Sequence, residues 1–165
     1  MYIRLAEPAD LFSLLEIFEH ARRFMCATGN PTQWIDGYPS EELILGEIEA
    51  RHCFVCVDEQ SGQLEGTFCF IEGEDPTYRV IYDGAWLNDA PYGVIHRLAT
   101  AGRKKGVAEA CLCWCAERCN NLRVDTHRDN RVMQHILEKH GFQRCGIILV
   151  RNGTERIAYQ RIINR

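Results

Sequence analysis

The chain has 165 residues, 46% of them hydrophobic and 25% charged, and its 19 basic and 23 acidic side chains leave a net charge of -4. Such a chain suits one compact domain over residues 1–165 with a proper core, and it excludes disorder and a global basic footprint for nucleic acid. Nine cysteines, an odd number, exclude full disulfide pairing within the chain, and no apolar run approaches the ~20 residues of a membrane span.

Tyr2-Ile3-Arg4-Leu5 alternates as a short first strand, and Pro8 and Asp10 open a helix with Asp10 as its N-cap. Leu11, Leu14, Leu15, Phe18, Ala21 and Met25 recur at helical spacing until Thr28-Gly29-Asn30-Pro31 stops them. The stretch to Pro39 reads as a loop, yet it holds Gln33, Trp34 and Tyr38, aromatics that a plain connector does not need. Ser40 with Glu41 and Glu42 starts a second helix, because a hydroxyl cap and acids both favour the positive end of the dipole.

Strands follow at Cys53–Asp58 and Leu64–Glu72 around the Ser61-Gly62 turn, then a weaker one at Tyr78–Tyr82 and a stronger one at Tyr92–Thr100. Val107–Cys119 is helical and apolar on nearly all sides, which implies burial. Leu122–Thr126 reads as a strand and Asn130–His140 as a helix closed by Gly141, and Cys145–Val150 and Arg156–Ile162 flank the hairpin signal Asn152-Gly153. The order β-α-α-β-β-β-β-α-β-α-β-β describes one mixed α/β domain.

The cysteines read as packing in a reducing cytoplasm, since the start of the chain lacks the pattern of a secretory signal. Cys53 and Cys56 form C-x-x-C within a strand pattern, where residues three apart point to opposite faces. Cys111, Cys115 and Cys119 stack on one helix face with no partners at metal-ligand spacing, so no metal is expected.

The segment Ile95-His96-Arg97-Leu98-Ala99-Thr100-Ala101-Gly102-Arg103-Lys104-Lys105-Gly106-Val107-Ala108 joins a strand to a buried helix through a basic, glycine-containing loop. Free N–H groups at such a helix start, the dipole and three local cations make an anion site, although a basic loop before a helix is also an ordinary solvated turn. The spacing from Gly102 to Gly106 is too short for a P-loop, and G-x-G-x-x-G is absent.

Arg103-Lys104-Lys105-Gly106-Val107-Ala108 matches [QR]-x-x-G-x-[GA], and Asn130 and Gly141-Phe142 follow at suitable distances. Together with the element order, these residues resemble the GNAT-type N-acetyltransferase superfamily over almost the whole chain. The runs His96-Arg97-Leu98-Ala99 and Asp125-Thr126-His127-x-Asp129-Asn130 are similar to a bacterial subgroup of it. The resemblance implies a central mixed, mostly antiparallel sheet with a V-shaped splay, flanked by about four helices. It implies acetyl-CoA as donor, with its pyrophosphate on Arg103, Lys104, Lys105, Gly106, Val107 and Ala108, and its pantetheine arm along Leu98 and Ala99. Asn130 binds the cofactor or holds the helix near it, and family habit adds a homodimer.

What the resemblance implies chemically is direct transfer to the amine of a small-molecule acceptor, which needs a base for the ammonium and an acid for the departing thiolate. The tyrosine that family members commonly place four residues before the closing glycine is here Leu137, so that acid is missing and the alternative of a non-catalytic acyl-CoA-binding module arises. His96 and His127 are candidate bases from strands flanking the expected cleft; for each, the other reading is a structural group bonded to backbone. His96 and Leu98 are expected to share a strand face, with Arg97 opposite. Trp34, Tyr38, Trp86 and Tyr92 are candidates for the acceptor pocket, with packing at the sheet edge as the plainer alternative. Asp125 is a candidate to orient His127 or bind the amine, with a solvated surface acid as its alternative. Glu72, Glu74 and Asp75 read as turn acids that could attract a cationic acceptor. Neither nucleic acid nor a membrane is expected as a partner.

Overall fold

The computed structural model describes residues 1–165. The alternating and helical patterns resolve into β1 (Tyr2–Leu5), α1 (Leu11–Ala27), α2 (Glu41–Glu49), β2 (Cys53–Val57), β3 (Leu64–Glu72), β4 (Gly93–Thr100), α3 (Val107–Arg118), β5 (Asn121–Thr126), α4 (Arg131–Lys139), β6 (Gln143–Leu149) and β7 (Glu155–Ile162). The strands make one sheet in the order β1-β2-β3-β4-β5-β7-β6. Every neighbouring pair is antiparallel except β4 with β5, which gives the mixed, mostly antiparallel sheet with four α-helices that the resemblance implied.

Two apolar layers cover the sheet. On one face Leu14, Phe18 and Ile44 of α1 and α2 pack with Cys53, Val55 and Cys69; on the other, Cys111, Leu112 and Leu137 of α3 and α4 pack with Cys56, Phe68 and Leu122. Cys53 and Cys56 thus serve opposite cores, as alternation along a strand demands. Cys111 and Cys115 are buried while Cys113 is exposed. Trp114, partly buried, packs against Phe54, Phe68 and Phe70. No helix is long and apolar enough to cross a membrane.

Three local expectations are corrected. Tyr78–Tyr82 is not a strand: Asp75 accepts from the Thr77 N–H at 2.9 Å and Pro76 sets the first position, so Pro76–Tyr78 turns as a 3-10 helix. Only Tyr82 reaches the sheet, bridging Ile147, and the sheet has seven strands rather than eight. Asp10 does not cap α1 with its side chain; its carboxylate accepts from Glu7 N–H and from Arg4, closing a 3-10 turn at Pro8–Asp10. The clean alternation expected along β4 fails as well. Cys69 pairs with His96 and Thr67 with Ala99, so Arg97 and Leu98 together oppose Phe68 in a bulge, and Arg97 adopts φ 53°.

The feature that positions the site is the opening between β4 and β5. Their ladder holds only Gly93 with Leu122 and Val94 with Arg123. Beyond these pairs the two strands part, leaving polar backbone edges along a V-shaped cleft.

Candidate active site

At the open end of the cleft, β4 runs through the loop 101–106 into α3. No backbone N–H from Gly102 through Glu109 donates a hydrogen bond within the chain. Gly106, the N-cap, sits at φ 77°, a left-handed conformation costing a side-chain-bearing residue roughly 1 kcal/mol or more. A run of unsatisfied donors at the positive end of a twelve-residue helix is an anion cradle. The loop's cations are less free than the sequence suggests. Arg103 bonds the Leu64 carbonyl at 2.7 Å and lies 3.3 Å from the buried Glu65 carboxylate. Lys104 pairs with Asp58 at 2.6 Å, holding that carboxyl well below the usual carboxylate range together with the Ser61 hydroxyl. Lys105 has no ion pair. Val107 and Ala108 are buried under the loop.

A cavity of about 700 Å³ lies between β4, β5 and the helices. Leu112, Met133 and Leu137 wall it from the helix side, β4 contributes Ile95 through Leu98, and β5 contributes Val124 through Thr126. Leu98 reaches the cavity, whereas Ala99 is buried in the core beneath α1 and α2. Leu137 is fully buried and apolar, so α4 presents no phenol here.

Trp34 and Tyr38 line the cavity from the loop between α1 and α2, stacked edge-on at 6.1 Å, with Trp34 in turn against Phe18 of α1. Trp86 and Tyr92 lie outside it. They flank the Arg123 guanidinium at 4.1 and 3.9 Å from their ring centroids, and Trp86 donates to the Tyr78 carbonyl at 2.9 Å; this is packing behind the site.

The two histidines have opposite environments. His127 is used up on both nitrogens: Nδ1 accepts the Asp129 N–H at 3.0 Å, and Nε2 lies 3.2 Å from the Thr32 hydroxyl. Burial first, then the nearby Arg156 charge, pushes its imidazolium down, and it stays neutral as a clasp between the β5–α4 turn and the α1–α2 loop. Asn130 shares that clasp. Its Oδ1 caps α4 by accepting the Met133 N–H at 3.1 Å, and its Nδ2 donates to Gln33 at 3.0 Å. Its side chain therefore holds the helix in place.

His96, by contrast, lines the cavity with one nitrogen engaged. Nε2 lies 3.0 Å from Asp75 Oδ2, and Nδ1 has no partner in the chain. Burial pushes the Asp75 carboxyl up, but hydrogen bonds from His96 and from the Thr77 hydroxyl and N–H outweigh it and hold it at about 2. A carboxylate oxygen only accepts, so the nitrogen facing Asp75 carries the proton, and Nδ1 is the ring nitrogen without a partner in the chain. The Asp75 backbone is itself pinned, its N–H donating to the Tyr92 hydroxyl at 3.0 Å. Asp125 also faces the cavity and accepts the Tyr78 hydroxyl at 2.6 Å.

Two of these residues, Arg97 and Arg156, carry no site signal in the sequence. Asp75 reads there only as a turn acid that could attract a cationic acceptor, although Asp-Pro-Thr signals a capped turn and hence a fixed carboxylate. Arg97, set by its bulge, donates to the Tyr38 hydroxyl at 2.9 Å and pairs with Glu47 at 3.3 Å. Arg156 is a buried arginine in the β7 pattern, where an apolar residue was due. No group of three His, Cys, Asp or Glu side chains is placed to hold a metal ion.

No family model matches the chain, and neither does any curated protein sequence. Solved structures do. An acetyltransferase of the GNAT family from Streptococcus agalactiae superposes with a TM-score of 0.90 at 35% identity, covering 99% of this chain and 96% of that one. A ribosomal-protein-alanine N-acetyltransferase from Brucella melitensis matches at TM-score 0.65 and 20% identity over 99% and 100% of the two chains. The NatB acetyltransferase complex bound to CoA and MES matches at 0.67 and 11% over 99% and 100%; these two show the fold alone. With its split β4–β5 ladder, its free helix-start donors and a 35%-identical relative matched over nearly its full length, the chain belongs to the GNAT family of acetyltransferases.

Proposed function

We propose that the protein transfers an acetyl group from acetyl-CoA directly to the amine of a small-molecule acceptor. The observation that carries this reading is the Asp75–His96 pair in the wall of the cavity, on the same strand β4 that leads into the run of free N–H donors at the start of α3. The residues present fit CoA: the donors from Gly102 to Glu109 and the α3 dipole suit a diphosphate, with Lys105 adding charge, and the parted β4 edge near Leu98 and Ala99 suits an amide-bearing arm. The thioester supplies an activated acyl carbon. A β4 N–H beyond Val94 is suitably exposed to polarise its carbonyl.

His96 Nδ1 takes the proton of the acceptor ammonium, and the Asp75 carboxylate steadies the imidazolium that results. Asp125, held by Tyr78, attracts the ammonium, and Trp34 and Tyr38 wall the acceptor. Leu137 leaves the thiolate without a phenol, so it departs unassisted or takes its proton from water. A reducing cytoplasm completes the reading, supported by nine cysteines that are all free thiols.

Mixing the protein with acetyl-CoA and a panel of primary amines is expected to release CoA thiol, and His96→Gln is expected to lower kcat while leaving CoA affinity in place. Absence of saturable CoA binding by calorimetry would overturn the reading. Saturable binding with no turnover on any amine would leave a CoA-binding module instead.

A further inference from the structure

Three neighbouring strands deliver one polar residue each to the same face of the sheet. Val94 pairs with Arg123, so two residues on, His96 of β4 and Asp125 of β5 face each other across the splay. Asp125 pairs in turn with Ala158 of β7, and Arg156, two residues from Ala158, emerges on that same face by strand alternation. All three side chains line the cavity.

Arg156 is the unusual member, being only 7% exposed. Its bonds go to neutral oxygens: Nη1 to the Thr154 hydroxyl at 3.1 Å and the Glu155 carbonyl at 2.8 Å, and Nη2 to the Gln33 carbonyl at 3.3 Å. No carboxylate oxygen lies within the 4.0 Å of an ion pair, and Asp125 acts on it only at longer range. Nε–H has no partner at all. The other cavity arginines differ, since Arg97 is neutralised by Glu47 at 3.3 Å and Arg151 is exposed on the β6–β7 hairpin. A guanidinium cannot shed its charge, and a buried charge without a counter-ion is unfavourable. With three of the five N–H groups so used, Nε–H and the second Nη2–H remain on a residue that lines the cavity, a pair of donors of the kind that receives a carboxylate.

We propose that the acceptor is a small amino acid-like zwitterion, its amine directed to His96 and Asp125 and its carboxylate to the Arg156 guanidinium. The inference deepens the proposed acetyl transfer and rests on it for the role of the amine. The two ends complement the cavity in sign: Asp125 is an anion bonded only to a neutral phenol, and Arg156 is a cation bonded only to neutral oxygens. A simple alkylamine would satisfy the first and leave the second buried and unpaired.

The test compares the common L-amino acids with their carboxamides, isosteres that lack only the anionic charge. Thiol release from acetyl-CoA gives kcat/KM, and calorimetry on the CoA-saturated protein gives affinity independently of turnover. Loss of a charge-assisted pair predicts that at least one amino acid exceeds its carboxamide by about ten- to a hundredfold in kcat/KM or affinity. Arg156→Gln brings that ratio close to one, and Arg156→Lys, which keeps the charge and loses the fork, falls between. Because the wild-type comparison needs no variant, the inference stands or falls even where Arg156→Gln fails to fold. Carboxamides or alkylamines accepted as well as the acids would overturn it while leaving acetyl transfer intact, and so would an unchanged ratio in folded Arg156→Gln. Amino acids that bind through Arg156 but are never acetylated would support the carboxylate site and overturn the transfer. Neither series binding nor reacting would overturn the inference.

Discussion

Asp75→Asn isolates the proton-handling pair with almost no change of shape. The carboxylate accepts from Thr77 twice, at 2.9 and 2.7 Å, and from His96 at 3.0 Å. An amide keeps one oxygen for Thr77 and turns its NH₂ toward His96 Nε2. That nitrogen must then accept, which moves the ring proton to Nδ1 and removes the lone pair facing the cavity. General base catalysis is worth about 10²–10⁴ in rate, so kcat at pH 7 is expected to fall on the order of a hundredfold or more, with CoA affinity unmoved. Stability changes too. A carboxyl held at about 2 rather than the ordinary 3.8 contributes on the order of 2 kcal/mol at neutral pH. Because the folded value is the lower one, that contribution is present above about pH 4 and is lost as pH falls toward 2. Denaturant melts from pH 7 to pH 2 should therefore show this slope in the wild type and a variant lacking it. A folded Asp75→Asn protein within about threefold of wild-type kcat across pH 6–9 would refute the role of Asp75 as the group that sets the His96 tautomer.

His127→Gln should preserve the acid limb of the pH–rate profile. Because burial lowers the imidazolium value of His127, its contribution to stability is present above about pH 6.5 and is lost as pH falls; thermal melts of the variant should show less destabilisation between pH 7 and 5. Gly106→Ala meets no atom within 4 Å but must hold φ 77°. It should cost about 1 kcal/mol in melts and weaken CoA binding by calorimetry; unchanged affinity would argue against the helix-start cradle. Cys115→Ser places a hydroxyl in a fully buried apolar cluster and should cost about 1–3 kcal/mol, whereas Cys113→Ser, on the exposed side of α3, should stay within about 0.5 kcal/mol.

The half of the site proposed to hold the donor can be read in the sequence because it is contiguous: one strand, one loop and one helix start, from Ile95 to Ala108. The acceptor half is assembled by register. His96, Asp125 and Arg156 become neighbours only through the pairing of β4, β5 and β7, and nothing in their spacing announces it. Asp75 enters through a 3-10 turn where a strand was expected, since Pro76 and the Asp75 cap outweigh the aromatic residues that follow. Trp86 and Tyr92 read in the sequence as aromatics near the cleft, but Arg123, buried in β5, claims both rings. Arg97 escaped the alternation rule because the β4 bulge turns it by one residue, a backbone event invisible in a side-chain pattern. Of the three cations in the loop, Arg103 and Lys104 are committed to Glu65 and Asp58, and what remains free at the helix start is Lys105 and the backbone N–H groups.

The loss of the usual phenol at Leu137 and the presence of the Asp75–His96 pair make sense together when the two proton transfers are weighed. The ammonium of an amino acid, about one unit more acidic than the 10.4 of an alkylammonium, must lose its proton before attack, which at pH 7 costs about 3–4 kcal/mol. A thiol with a value near 8.5 leaves as thiolate at a cost of about 2 kcal/mol at the same pH. The base therefore answers the larger demand and the acid the smaller one. Leu137 is fully buried and packs with Cys111, Leu112 and Phe142 under the cleft, so the position ordinarily given to the acid here serves the core. On the acceptor side His96 is fixed by a carboxylate that is fixed in turn by Thr77, and the Asp75 backbone is held by Tyr92. In the proposed transfer, the rigid polar network thus stands where the larger barrier lies, and the other position is filled with apolar packing.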